Sequence, residues 1–166
     1  GAPPALRYAA LRGAMDQQRS LEHGRWAFAK TANCLVRREA FAAAGGFAEG
    51  IRSGGDADLC WRLAAAGWAL EPRLDARVVH RNRRTTAAMA AQLARHGAGA
   101  AWLGRRHAGA LPRRSLPGLV RWTGRRWRTA LAARARGDAD TALVAALDPL
   151  AAWAFEAGRL LPNRTS

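Results

Sequence analysis

Two aspartates two residues apart, Asp56 and Asp58, follow the glycine-rich stretch Gly50-Ile51-Arg52-Ser53-Gly54-Gly55. Glycine lets a backbone approach a ligand closely. A carboxylate at the start of a helix is kept ionised by the helix dipole and the free N–H groups of the first turn. An ionised, fixed carboxylate at a loop edge suits proton abstraction as a general base. The same position equally suits a plain helix N-cap. Asp58 stands four residues before Arg62, the spacing of a helical ion pair. Upstream lie Thr31-Ala32-Asn33, Arg37-Arg38-Glu39-Ala40-Phe41 and Gly45-Gly46-Phe47; downstream lie Trp61, Gly67 and Val78-Val79-His80. Cys34 and Cys60 have neither Cys-x-x-Cys spacing nor paired histidines beside them, so free thiols in a reducing compartment are expected.

Elements to position these residues can be read from periodicity. Leu6, Ala9, Ala10, Gly13 and Gln17 predict a helix over 5–24. Trp26, Phe28, Leu35 and Val36 predict extended segments. A short helix over 38–44 stops at Gly45-Gly46. Asp56 opens a helix whose apolar stripe is Leu59, Cys60, Leu63 and Ala64, and Gly67 ends it. Two short strands, 68–70 and 77–80, flank a turn at Pro72. Thr85 or Thr86 caps a long helix reaching about Arg106, Pro112 and Pro117 mark a linker, and helices over 118–136 and 140–160 follow. Asp138 and Asp140 read as capping residues before Thr141. No run of 18 apolar residues occurs, which argues against a transmembrane helix.

The formal charge of +15 is concentrated in the second half, where residues 81–136 hold 14 arginines and no acid. Such a field favours anionic partners: nucleotide phosphates, acidic lipid or nucleic acid. The single lysine, Lys30, shows that an arginine bias of the whole chain contributes as well. Residues 113–136 interleave arginines with Trp122 and Trp127, the composition of a helix lying in a membrane interface or packed through its tryptophans.

The ordered series from Asn33 through Arg37-Arg38, Gly45-Gly46-Phe47, Asp56-Ala57-Asp58-Leu59-Cys60-Trp61-Arg62 and Gly67 to His80 resembles the second half of the family 2 glycosyltransferases. The likeness covers residues 24–107, and Phe155-Glu156-Ala157-Gly158-Arg159-Leu160 resembles the end of some members. The resemblance implies an α/β chain, the C-terminal part of a GT-A (nucleotide-diphospho-sugar transferase) fold, helix-rich with a few short strands. It implies an inverting transfer of sugar from a nucleotide-sugar donor to a glycan or lipid-linked acceptor. Asp56 matches the catalytic base. Asn33, Arg37, Asp58, Trp61 and Arg62 match positions around the acceptor, and His80 matches one that helps bind metal in some members. The complete enzyme would use a divalent metal, Mn or Mg. The chain departs from the family at Gly55, where a glutamate is usual.

Neither Asp-Ala-Asp triplet, 56–58 or 138–140, follows an apolar strand as the family's metal motif does. The nucleotide-binding half is therefore expected outside this sequence, with the chain inactive by itself. Residues 1–110 would be the acceptor-side half of the catalytic domain and 111–166 a basic helical extension. The expected location is the cytoplasm, with peripheral contact at the inner face of the membrane. The competing reading is a non-catalytic basic helical module that grips nucleic acid or an anionic membrane. The absence of a zinc-finger or RNP-type motif disfavours the nucleic-acid form, and no nucleic-acid partner is expected.

Overall fold

Alanine and glycine recur along the second half of the chain, and the long helices built from them pack almost backbone to backbone. The computed structural model describes residues 1–165. Its α-helices are α1 (Pro4–Leu11), α2 (Gln17–Leu21), α3 (Arg38–Ala43), α4 (Gly55–Ala65), α5 (Thr86–Arg106), α6 (Leu116–Ala135) and α7 (Ala139–Gly158). Single 3-10 turns occupy Gly24–Trp26 and Thr31–Asn33. Side-chain oxygens cap the long helices: Thr85 accepts from the Ala88 N–H at 3.1 Å, Ser115 from Gly118 at 3.3 Å and Asp138 from Thr141 at 3.0 Å.

Helix α7 packs along both α5 and α6, and α1 lies across α7 and α5. Where α5 meets α7, Gly97 faces the Phe155 carbonyl and Gly158 faces the Ala94 backbone, with no room for a side chain at either position. One core cluster, Ala5, Tyr8 and Met89 with Leu93, Val144 and Leu147 against it, fills the space under α1. The Tyr8 hydroxyl donates to buried Asp148 at 2.9 Å. Burial and that carboxylate push its pKa up to about 12. A second cluster, Ala29, Ala57, Cys60, Trp61, Leu103 and Ala110, holds α4 against α5. The turn between α5 and α6 contains the expected boundary at 110–111, and α7 returns across it to pack on α5.

The α/β expectation, a GT-A part with short strands, is corrected by this architecture: among the described residues there is no strand. Residues 68–70 and 77–80 are irregular coil at the surface, with Val79 97% exposed, and Leu35 is 99% exposed. A strand is stable only with a neighbouring strand to take up its N–H and C=O groups, and these segments have none among the described residues. The Trp68 N–H donates to the Leu63 carbonyl at 3.0 Å as α4 ends, and next to the other segments side chains take up backbone groups: the Ala76 carbonyl accepts from Asn33 Nδ2 at 2.8 Å, and the Lys30 N–H donates to Gln17 Oε1 at 2.8 Å. Trp26 and Phe28, also expected in a strand, pack on the Trp61 cluster. The first expected helix is two, because Gly13 turns left-handed (φ 55°) and Asp16 caps α2 by accepting from the Gln18 N–H at 3.0 Å.

Candidate functional site

Asp56 owes its position to Gly54, whose φ of 90° turns the chain sharply into α4. A Cβ at Gly54 would also lie 3.0 Å from Leu103 Cδ1 on α5, so glycine serves both the turn and the contact. The Asp56 carboxylate accepts from the next N–H, that of Ala57, at 2.9 Å; Asp56 lies in the first turn of α4, and the N-cap position is held by Gly54. It stands half-buried in the wall of a cavity of about 400 Å³. Thr31, Cys34, Arg38, Phe41 and Phe47 line the same cavity, and Leu59 and Cys60 of α4 form its back. Burial pushes the Cys60 thiol up, so it serves as neutral packing rather than as a nucleophile. The cavity thus offers one carboxylate, one guanidinium and one hydroxyl among mainly apolar walls. Such a mixture orients a small hydroxyl-bearing molecule.

Asp58, Trp61 and Arg62 stand behind this cavity and do not line it. Asp58 is fully buried at 0% exposure. Its carboxylate takes Arg62 Nε at 2.9 Å, Arg106 Nε at 2.7 Å and His107 Nε2 at 2.8 Å. Burial by itself would raise the Asp58 pKa. Hydrogen bonds from His107 and Arg62, with the charges of Arg62 and Arg106, outweigh it and hold the carboxyl below the usual range. Arg62 also donates to the carbonyls of Ala44 and, at 2.7 Å, Gly46, which ties the end of α3 and its double-glycine turn to α4. Trp61 is buried edge-on between Trp26 at 4.9 Å and His107 at 5.0 Å. These three residues anchor α4, the helix that also carries Asp56, to its neighbours.

Asn33 and His80 come together in a second cavity of about 280 Å³, with Gln17, Lys30 and Arg77. The turn Thr31–Asn33 separates the two cavities, since Thr31 faces the first and Asn33 the second. Arg37 lines neither cavity; it is exposed, 3.9 Å from Glu39. His80 Nδ1 lies 3.2 Å from Asn82 Oδ1. Among the described residues no three His, Cys, Asp or Glu side chains converge, so they do not by themselves fit a divalent metal. Among the described residues no helix is long and apolar enough to cross a membrane.

One support has no signal in local spacing. Asn163 is buried, and its amide pairs with both backbone groups of Ser53, accepting from the N–H at 3.1 Å and donating to the carbonyl at 2.9 Å. The Thr165 N–H donates to the Gly50 carbonyl at 3.1 Å. The C-terminal residues thus clasp the glycine loop that leads into Asp56. Asn163→Ala removes both Ser53 bonds, each worth about 1 kcal/mol. Amide exchange across residues 50–56 is expected to accelerate about tenfold or more, with α5 and α7 unaffected. Unchanged exchange in that loop would show that the clasp does not hold it.

Over 111 residues, 64% of its length, the chain is 38% identical to the pre-mycofactocin glycosyltransferase of Mycobacterium tuberculosis strain CDC 1551 / Oshkosh. The figures for the same-named protein of strain ATCC 25618 / H37Rv are identical. The chain spans about a quarter (24%) of these relatives' own length. No family model matches the chain, and no solved structure matches it significantly. The likeness supports a glycosyltransferase.

Proposed function

We propose that this chain carries the acceptor side of a family 2 glycosyltransferase that moves a sugar from a nucleoside diphosphate to an acceptor hydroxyl. The observation that carries the reading is Asp56: a carboxylate at the start of α4, open to a cavity and backed by a buried charge cluster. Resemblance of its surroundings to a glycosyltransferase, and the 38% identity, support the same role.

In the proposed reaction the acceptor enters the cavity of Asp56, with its hydroxyl against the carboxylate. As that oxygen attacks the anomeric carbon, its proton passes to Asp56 and the new C–O bond forms. The bond to the diphosphate breaks on the opposite face, and its electron pair leaves with the nucleoside diphosphate, so the anomeric configuration inverts. Arg38 and Thr31 line the cavity and are placed to orient the acceptor. Asn33, Lys30 and His80, across the Thr31–Asn33 turn, would contact the acceptor's far end or the donor. Arg37, exposed beside them in sequence, would meet a larger acceptor. The manganese or magnesium ion implied by the resemblance would draw its ligand set from elsewhere in the complete protein. The free thiols Cys34 and Cys60 accord with a cytoplasmic site of action.

The test is a panel of nucleoside diphosphate sugars offered to the complete protein, with the product's anomeric configuration read by NMR. One sugar is expected to turn over with inversion. Retention of configuration, or no release of nucleoside diphosphate from any donor, would overturn the reading.

A further inference from the structure

Helix α6 has two apolar faces, and only one is covered. Leu119, Thr123 and Ala133 are buried toward α7. Leu116, Val120, Trp127 and Leu131 recur at spacings of four, seven and four residues and therefore form a second stripe. All four are exposed, Trp127 by 57% and Leu131 by 71%. Trp153 of α7 extends this stripe. Its indole N–H donates to Thr123 Oγ1 at 3.0 Å, and Thr123 lies one turn from both Val120 and Trp127. The neighbouring face of the helix carries exposed Arg121, Arg125 and Arg128, which form no salt bridge among the described residues. Arg126, on the inner side, is instead drawn to Asp148 at 2.8 Å.

We infer that this face of α6 docks on an anionic lipid surface. Charge identifies the occupant: the 56 residues around the helix, 81–136, hold 14 arginines and no acid. A surface of acidic headgroups complements that field, and each basic side chain near it adds about 1 kcal/mol at physiological ionic strength. The aliphatic and indole groups give the second element of interfacial binding, burial at the headgroup and acyl boundary, while the arginines reach outward to phosphate. A nucleic-acid groove would engage the arginines and leave Leu116, Val120 and Leu131 in water, so it accounts for half of the surface only. A second copy of the chain would bring arginine against arginine. The inference does not depend on the transferase reading.

The test is co-sedimentation of the chain with vesicles, either phosphatidylcholine alone or phosphatidylcholine and phosphatidylglycerol in equal parts, read alongside tryptophan fluorescence. The expected result is binding to the anionic vesicles, a blue shift, and little binding to the neutral ones. Replacing Trp127 and Leu131 by serine should weaken binding at least tenfold. Changing Arg121, Arg125 and Arg128 to glutamine should do the same and flatten the salt dependence. Both substitutions lie on exposed positions, and an unchanged circular-dichroism melt verifies the fold. Binding undiminished in both variants overturns the proposal. So does tight binding to single- or double-stranded nucleic acid without vesicle binding, or a dimer that the Trp127→Ser, Leu131→Ser variant dissociates.

Discussion

Replacing Gly97 by alanine is expected to lower the stability of the chain by about 3 kcal/mol or more. The added methyl would fall on the Phe155 carbonyl oxygen, with the Phe155 carbonyl carbon at 2.9 Å and the Arg159 nitrogen at 3.0 Å. All three are backbone atoms of α7 and its C-cap residue, so no rotamer change relieves the clash and the helices must separate. Overpacking against flexible side chains costs about 1–3 kcal/mol; rigid backbone puts this site at the upper end or beyond. Gly158→Ala is the mirror case, with the methyl driven into the Ala94 carbonyl and 2.5 Å from Ala94 Cα. A chain of this size should lose about 6–12 °C in melting temperature in either variant. The control is Gly124→Ala on α6, where a Cβ meets nothing within 4 Å. Helix propensity alone acts there, and a gain of about 0.5–1 kcal/mol is expected. Equal melting temperatures for Gly97→Ala and Gly124→Ala would contradict the close crossing.

Asp58→Asn should be nearly as damaging. Removing one member of a buried ion cluster leaves its partners without compensation, a loss of about 3–5 kcal/mol. The lower end applies, since the Arg106 side chain is half exposed and can turn to water. The same cluster fixes the acid response. The folded-state pKa of Asp58 is depressed, so its contribution is fully present above the unfolded value of about 3.9. It is lost as pH falls below that value and through the lower folded one. Wild type should therefore lose stability below about pH 4, and Asp58→Asn should show a shallower loss over the same range. Chemical denaturation at a series of pH values measures both; parallel profiles would show that the cluster contributes no linkage.

Local signals were legible where partners lie within a helical turn. The Asp56 helix start, the Asp58–Arg62 pair and the Thr85 and Asp138 caps each depend on residues at most four apart, and all are present. Helices α5, α6 and α7 fall within a few residues of their expected limits. Gly13, counted into a helical period, instead breaks the helix, since spacing does not reveal a left-handed turn. The apolar segments at 26–36, 68–70 and 77–80 carry strand-like composition, but composition does not supply the neighbouring strand that pairing requires. Arg106 and His107 reach Asp58 from 48 and 49 residues away, and Asn163 reaches Ser53 from 110. No periodicity encodes such distances. The candidate site was therefore legible as Asp56 and its loop, while its support was only half legible.

The central claim is that Asp56 takes the acceptor's proton, and the direct measurement is the transfer rate of the complete protein carrying Asp56→Asn. The substitution keeps shape and leaves the Asp58 cluster intact, so the melting temperature should stay within a degree or two, about 0.5 kcal/mol. The transfer rate should fall about 10²–10⁴-fold, the usual loss on removing a general base. A variant that melts as wild type does and transfers at the wild-type rate would contradict the account, leaving Asp56 as an acid in the first turn of α4 and nothing more.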